Sequence, residues 1–183
     1  MNSRALFVDV SLNPLLRLGV GGYLVVPTSL LEVSPHNIKG SEVANRLAVR
    51  QFEGTSSSKL EVQTVLWALE NYRITQKNAT PGKLKIYSDS QCVAGLAGRR
   101  PDLEAKNFLS KTTKLLLKNA ALYRRFYELQ DELGFEVVKV AGHGRSCSHD
   151  AAQRIFSFVD KGVRTALKLW MDEFETKSVE TGR

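Results

Sequence analysis

The apolar run Ala5 to Val8, flanked by Arg4 and Asp9, makes residues 4–11 read as a strand in which Ala5, Phe7, Asp9 and Ser11 share one face. Asp9 interrupts an otherwise apolar set, and an acid there is costly to bury without a partner or a metal ion. Asn13-Pro14 breaks the chain, and residues 19–26, Gly-Val-Gly-Gly-Tyr-Leu-Val-Val, read as the returning strand of a hairpin. Its glycines do not make a dinucleotide loop, which follows a strand and opens a helix, whereas Tyr23 to Val26 continues extended. Close strand packing or a bulge explains them instead. Residues 27–40 form a polar connection with two prolines, and residues 43–52 a third strand. The hydroxyl run at 55–58 then caps a helix over 60–72, whose core stripe is Val62, Val65, Leu66 and Leu69. Glu61 borders that stripe near the helix start, where the helix dipole alone can account for an acid.

A turn at 78–82 leads into a short strand that stops on Asp89, with Ser88 to Ser90 supplying turn and cap chemistry before a helix from Gln91. Residues 91–133 read as several helices: one to about residue 97, a break at 98–101, then two longer ones. Lys111, Lys114 and Lys118 fall at i, i+3 and i+7 as one basic face, and Leu122, Phe126, Leu129 and Leu133 form a core stripe ended by Gly134. A last strand spans 135–140, Gly142-His143-Gly144 turns the chain, and 151–174 is helical with Gly162 as a weak point. The expected fold is α/β, a mixed five-stranded sheet of three antiparallel and then parallel strands flanked by helices. One domain covers 1–175, and the polar tail at 176–183 frays.

Composition adds little until charge is located. The 43% hydrophobic and 25% charged residues are those of a globular chain, and the absence of a long apolar run or signal-peptide core points to a cytoplasmic protein without a membrane partner. Cys92 and Cys147 lie outside any C-x-x-C pair, so reduced thiols are expected. The net charge of +7 is concentrated between residues 97 and 125, where Arg99, Arg100, Lys106, Lys111, Lys114, Lys118, Arg124 and Arg125 face only Asp102 and Glu104. Such a surface attracts polyanions through counterion release.

The strand order makes strands one and four neighbours, so Asp9 and Asp89 stand side by side with Glu61 arriving from the helix above. Three converging carboxylates repel one another. Hard divalent cations compensate them, Mg²⁺ or alternatively Mn²⁺, and two ions about 4 Å apart can activate water for phosphodiester cleavage. With the basic segment, this points to a nuclease.

Five motifs in order resemble type I ribonuclease H, the nuclease that cuts the RNA strand of RNA/DNA hybrids: Asp9-x-Ser11, residues 55–61 opening a helix, Tyr87-Ser-Asp89-Ser-Gln91, Gly142-His143, and Val159-Asp160-Lys161 running into a helix. The resemblance implies that Asp9, Glu61, Asp89 and Asp160 hold two Mg²⁺ ions, with Asp150 a rival for the fourth acid, and that His143 aids proton transfer or product release. It implies that Ser11, Ser57, Ser58 and Gln91 meet the nucleic acid, the serines at 57 and 58 and Gln91 in the minor groove where the 2′-hydroxyl marks RNA. Arg99, Arg100, Lys111, Lys114 and Lys118 then belong to the basic substrate-binding region. It further implies an RNA/DNA hybrid as partner, no organic cofactor, and a monomer. The chain departs from the family pattern at Val10, where glycine is usual, at Ser57 and Ser58, where asparagines are usual, and in a longer stretch between His143 and Asp160. Two other readings stand beside it: a non-catalytic nucleic-acid-binding module of the same fold, and a resolvase-type nuclease.

Overall fold

The computed structural model describes residues 3–76, 82–141 and 150–180. Five strands, β1 (Arg4–Asn13), β2 (Leu18–Pro27), β3 (Ala48–Phe52), β4 (Leu84–Ser88) and β5 (Glu136–Lys139), form one sheet in the order β3-β2-β1-β4-β5. β1 pairs antiparallel with β2 and parallel with β4, β2 antiparallel with β3, and β4 parallel with β5. The chain is therefore a mixed α/β fold, as the alternation of patterns in the sequence predicts.

The central strand β1 is buried on both faces, and its alternate side chains serve two cores. Leu6 and Val8 pack with Val62, Val65 and Leu69 of α2 (Ser57–Thr75) and with Phe126 and Leu129 of α5 (Ala120–Leu133). Ala5 and Phe7 pack on the opposite face with Ile155 and Val159 of α6 (Ala151–Glu180). The glycines of β2 let these helices approach: a Cβ on Gly21 would stand 2.0 Å from Thr64 Oγ1 of α2, and one on Gly22 would stand 2.4 Å from Val163 Cγ1 of α6. Of the two explanations the sequence offers for these glycines, close strand packing is the one that holds, here on both faces.

Four expectations need correction. The third strand begins at Ala48, not at residue 43, because residues 40–44 form the short helix α1 (Gly40–Ala44) that buries Val43 beside α6. Between Pro27 and α1 the connection contains two 3₁₀ turns, Thr28–Glu32 and Pro35–Asn37. The break at 98–101 does not occur: after α3 (Gln91–Ala94), α4 (Leu96–Ala105) runs through Gly98 and Pro101. A mid-helix proline loses one backbone bond, and burial of Leu96 and the ion pairs of Arg100 hold the turn nonetheless.

The helix expected to carry Lys111, Lys114 and Lys118 is replaced by an irregular segment at 106–119. Asn107 and Phe108 turn left-handed there, with φ of 48° and 60°, which drives Phe108 into the α2/α5 core and ends helical winding. Lys114 is also left-handed, with φ of 58°. The three lysines thus sit on a loop, not on one helical face. Finally, α6 continues to Glu180, five residues past the point where the sequence suggests a frayed tail.

Candidate active site

Parallel pairing of β1 with β4 matches Phe7 to Tyr87. Two residues further on, Asp9 in the middle of β1 stands beside Asp89, just past the carboxyl end of β4, the edge at which α/β folds place ligand chemistry. Glu61, in the second turn of α2, lines the same small cleft with Val8, Val10, Ser88 and Ser90. Asp160 reaches Asp9 from α6 and is buried to 6% exposure. Acids separated by up to 151 positions in sequence are thereby gathered around Asp9 in the middle of β1.

The electrostatics of Asp9 record that convergence. Its carboxyl is pushed up to about 8, first by burial and then by the nearby charges of Asp89 and Asp160 and a hydrogen bond with Asp160, against a lowering contribution from the Val10 backbone. Like charges in a dry site cannot all ionise, so one proton is retained near neutrality. A single cation answers them within the described residues: Arg164, one turn beyond Asp160 on α6, donates to Asp160 Oδ2.

Glu61 is held differently. Ser90 Oγ donates to Glu61 Oε2 at 2.6 Å and Ser57 Oγ donates to Oε1 at 3.3 Å. Ser90 also caps α3 by accepting from the Val93 amide at 3.1 Å, and its own amide donates to Ser88 Oγ at 3.2 Å. These bonds tie the α2 acid to the turn that carries Asp89. Both Glu61 oxygens are thus directed at hydroxyls, and among the described residues no group of three or more His, Cys, Asp or Glu is arranged to hold a metal ion.

The remaining expected site residues separate into groups. Asp150, the rival fourth acid, is exposed and accepts from the Gln153 amide at 2.8 Å, capping α6. Asp160 is the acid that meets Asp9. His143 lies outside the described residues. Ser11 is half-buried on β1 opposite Val20, and Ser58 is exposed in the first turn of α2. Gln91 is exposed at the start of α3, where its Oε1 accepts from Lys139 Nζ.

In the basic region, Arg100 is held by both Asp131 oxygens at 2.6 and 2.7 Å and by Glu104 at 2.7 Å, while stacking 5.1 Å over Tyr127. Arg99 lies over Tyr123 and donates to the Cys92 carbonyl at 2.9 Å. Lys111 has Asp102 at 3.9 Å, whereas Lys114 and Lys118 are exposed. Cys92 is a free thiol.

Sequence reasoning missed Ser90 and Arg164 as neighbours of the acids, and Lys139 as the partner of Gln91. Arg164 was discoverable from its i+4 spacing to Asp160. Ser90 was visible only as a cap, and nothing local marks Lys139, which arrives through the β4–β5 pairing. No family model matches the chain, and no curated protein does either. No helix among the described residues is long and apolar enough to cross a membrane.

Proposed function

We propose that the protein is a divalent-metal-dependent endonuclease of the ribonuclease H type, hydrolysing the RNA strand of RNA/DNA hybrids. The observation that carries this reading is the shared carboxylate cluster of Asp9, Asp89 and Asp160, with Glu61 lining the same cleft and Asp9 retaining its proton near neutrality. A fold gains nothing in stability by gathering like charges, so a cluster of this kind has its use in a bound cation. The donor set is oxygen only and anionic, which suits Mg²⁺ or Mn²⁺ better than softer ions. The sheet order and the sequence motifs support the same family.

Asp9, Asp89, Asp160 and Glu61 are the residues that would hold the metal, two ions on the family's pattern. A hard divalent cation supplies Lewis acidity and charge neutralisation when bound. The chain's own residues do the rest. Ser90 and Ser57 orient the Glu61 carboxylate, and Arg164 balances Asp160 until a cation does so. Gln91, its Oε1 taken by Lys139, offers its amide N–H groups to acceptors of the hybrid, including a ribose 2′-oxygen. Lys111, Lys114 and Lys118, together with Arg124, draw in the phosphate backbone.

The test incubates the purified protein with end-labelled RNA/DNA hybrid, duplex DNA and a four-way junction in Mg²⁺. RNA-strand cleavage that disappears in Asp9→Asn and Asp89→Asn is the expected result. Cleavage of the junction alone would instead identify a resolvase, and salt-dependent hybrid binding without turnover would identify a binding module.

A further inference from the structure

The far side of α6 presents a second surface. A groove of about 600 Å³ runs between α1, β3 and α6, with Ala44, Leu47, Val49, Phe158, Ala166 and Leu169 among its lining residues. Its rim is apolar and open to solvent: Val49 is 47% exposed and Leu169 60%. The α6 turns from Phe158 to Leu169 extend about 16 Å, the length of roughly three turns of a docked helix. Neighbouring glycines hold the groove's base tight, since a Cβ on Gly162 would stand 2.2 Å from Leu47 Cδ2 and one on Gly40 would stand 2.7 Å from Phe158 Cε1.

Charge around the groove is predominantly positive. Lys161 is the single ionisable residue among the lining side chains described. Exposed Lys39 and Arg46 flank α1 and exposed Lys168 precedes Leu169, against one nearby acid, Glu42. None of the three lysines has an ion-pair partner among the described residues. A second copy of this chain, itself at +7, would be repelled from such a rim.

We propose that this groove receives an acidic amphipathic helix of a partner protein, its apolar i, i+3/i+4 and i+7 side chains on the groove floor and its carboxylates against the lysines. The site is distinct from the acid cluster. Asp160 and Lys161 are adjacent on α6, but Asp160 is buried toward β1 while Lys161 is exposed on the groove side. The inference does not rest on the nuclease reading.

The test titrates the isotopically labelled full chain with a synthetic leucine/glutamate amphipathic helix and, in parallel, with the same peptide carrying lysine for glutamate. The acidic peptide is expected to shift the backbone amides of Leu47, Val49, Gly162 and Ala166, and to bind about tenfold more tightly than the basic one. Leu169→Glu, at an exposed rim position that leaves the fold intact, should weaken it about tenfold. Equal binding of both peptides, no shift at these amides, or shifts confined to the α4–α5 surface would overturn the proposal. Concentration-dependent shifts of the same amides without peptide would overturn it in favour of self-association.

Discussion

The two charged regions of this molecule are built on opposite terms. In the α4–α5 region half of the eight cations already have an acid: Arg100 has Glu104 and Asp131, Arg125 has Glu70 and Glu128, and Lys106 and Lys111 share Asp102. Around Asp9, in the middle of β1, the acids outnumber their described partners, and burial keeps Asp9 protonated to about pH 8. The difference teaches that counting charge along a sequence overstates a basic segment and understates an acidic cluster. Asp131, Glu70 and Glu128, which neutralise the arginines, lie outside the segment whose excess looked so large, whereas the clustered acids are dispersed along the chain and show no local excess at all.

The largest effect that separates the regions is catalytic. Asp89→Asn should lower the rate of hybrid cleavage by about a thousandfold or more, while Arg100→Ala leaves it within a few-fold, measured under single-turnover conditions in Mg²⁺. Next comes stability against pH. Because the folded-state value of Asp9 lies above the ordinary carboxyl range, the folded chain binds more protons than the unfolded chain between about pH 4 and pH 8, and the metal-free protein loses stability as pH rises through that window. The loss is on the order of a few kcal/mol, and urea unfolding of Asp9→Asn should show a flatter profile and higher stability at pH 8. Glu70 behaves oppositely. Arg125 and Arg73 hold its carboxyl below the usual range, so its contribution is present at neutral pH and vanishes as pH falls through that lowered value.

Smaller effects sharpen the contrast. Ser90→Ala removes both a helix cap and the short bond to Glu61, and should cost about 1–2 kcal/mol in chemical denaturation while weakening Mg²⁺ binding followed by calorimetry. In the basic region, Lys118→Ala should reduce the slope of log K against log salt for hybrid binding by about one, because its ammonium is exposed and available to phosphate. Arg100→Ala should leave that slope unchanged, since its guanidinium is occupied by Asp131 and Glu104.

Much of this architecture was legible locally. The strand through Phe7 and Asp9, the α2 stripe and the stop at Gly134 follow from periodicity and turn chemistry, and each stands where the pattern placed it. The errors arise where tertiary contacts override local preference. Pro101 reads as a breaker, yet the buried Leu96 and the ion pairs of Arg100 keep α4 winding through it. Lys111, Lys114 and Lys118 have helical spacing, yet the core takes Phe108 at a positive φ and the helix is lost. Val43 reads as strand because it is apolar and β-branched, but its burial is against α6 from a short helix. For the candidate site, the acids themselves could be picked out by their interruption of apolar patterns. The bond of Ser90 to Glu61 depends on how α2 packs on the sheet, and the contact of Lys139 with Gln91 on the β4–β5 pairing, which no local signal encodes.

The central claim is that Asp9, Asp89 and Asp160 share one site whose repulsion a divalent cation relieves. Carboxyl ¹³C NMR of Asp9 across pH, without metal and with saturating Mg²⁺, tests it most directly. The account predicts a midpoint of about 8 in the metal-free protein, falling well below that when Mg²⁺ is added and also falling in Asp160→Asn. A midpoint in the ordinary carboxyl range in every case, indifferent to metal and to Asp160, would contradict it.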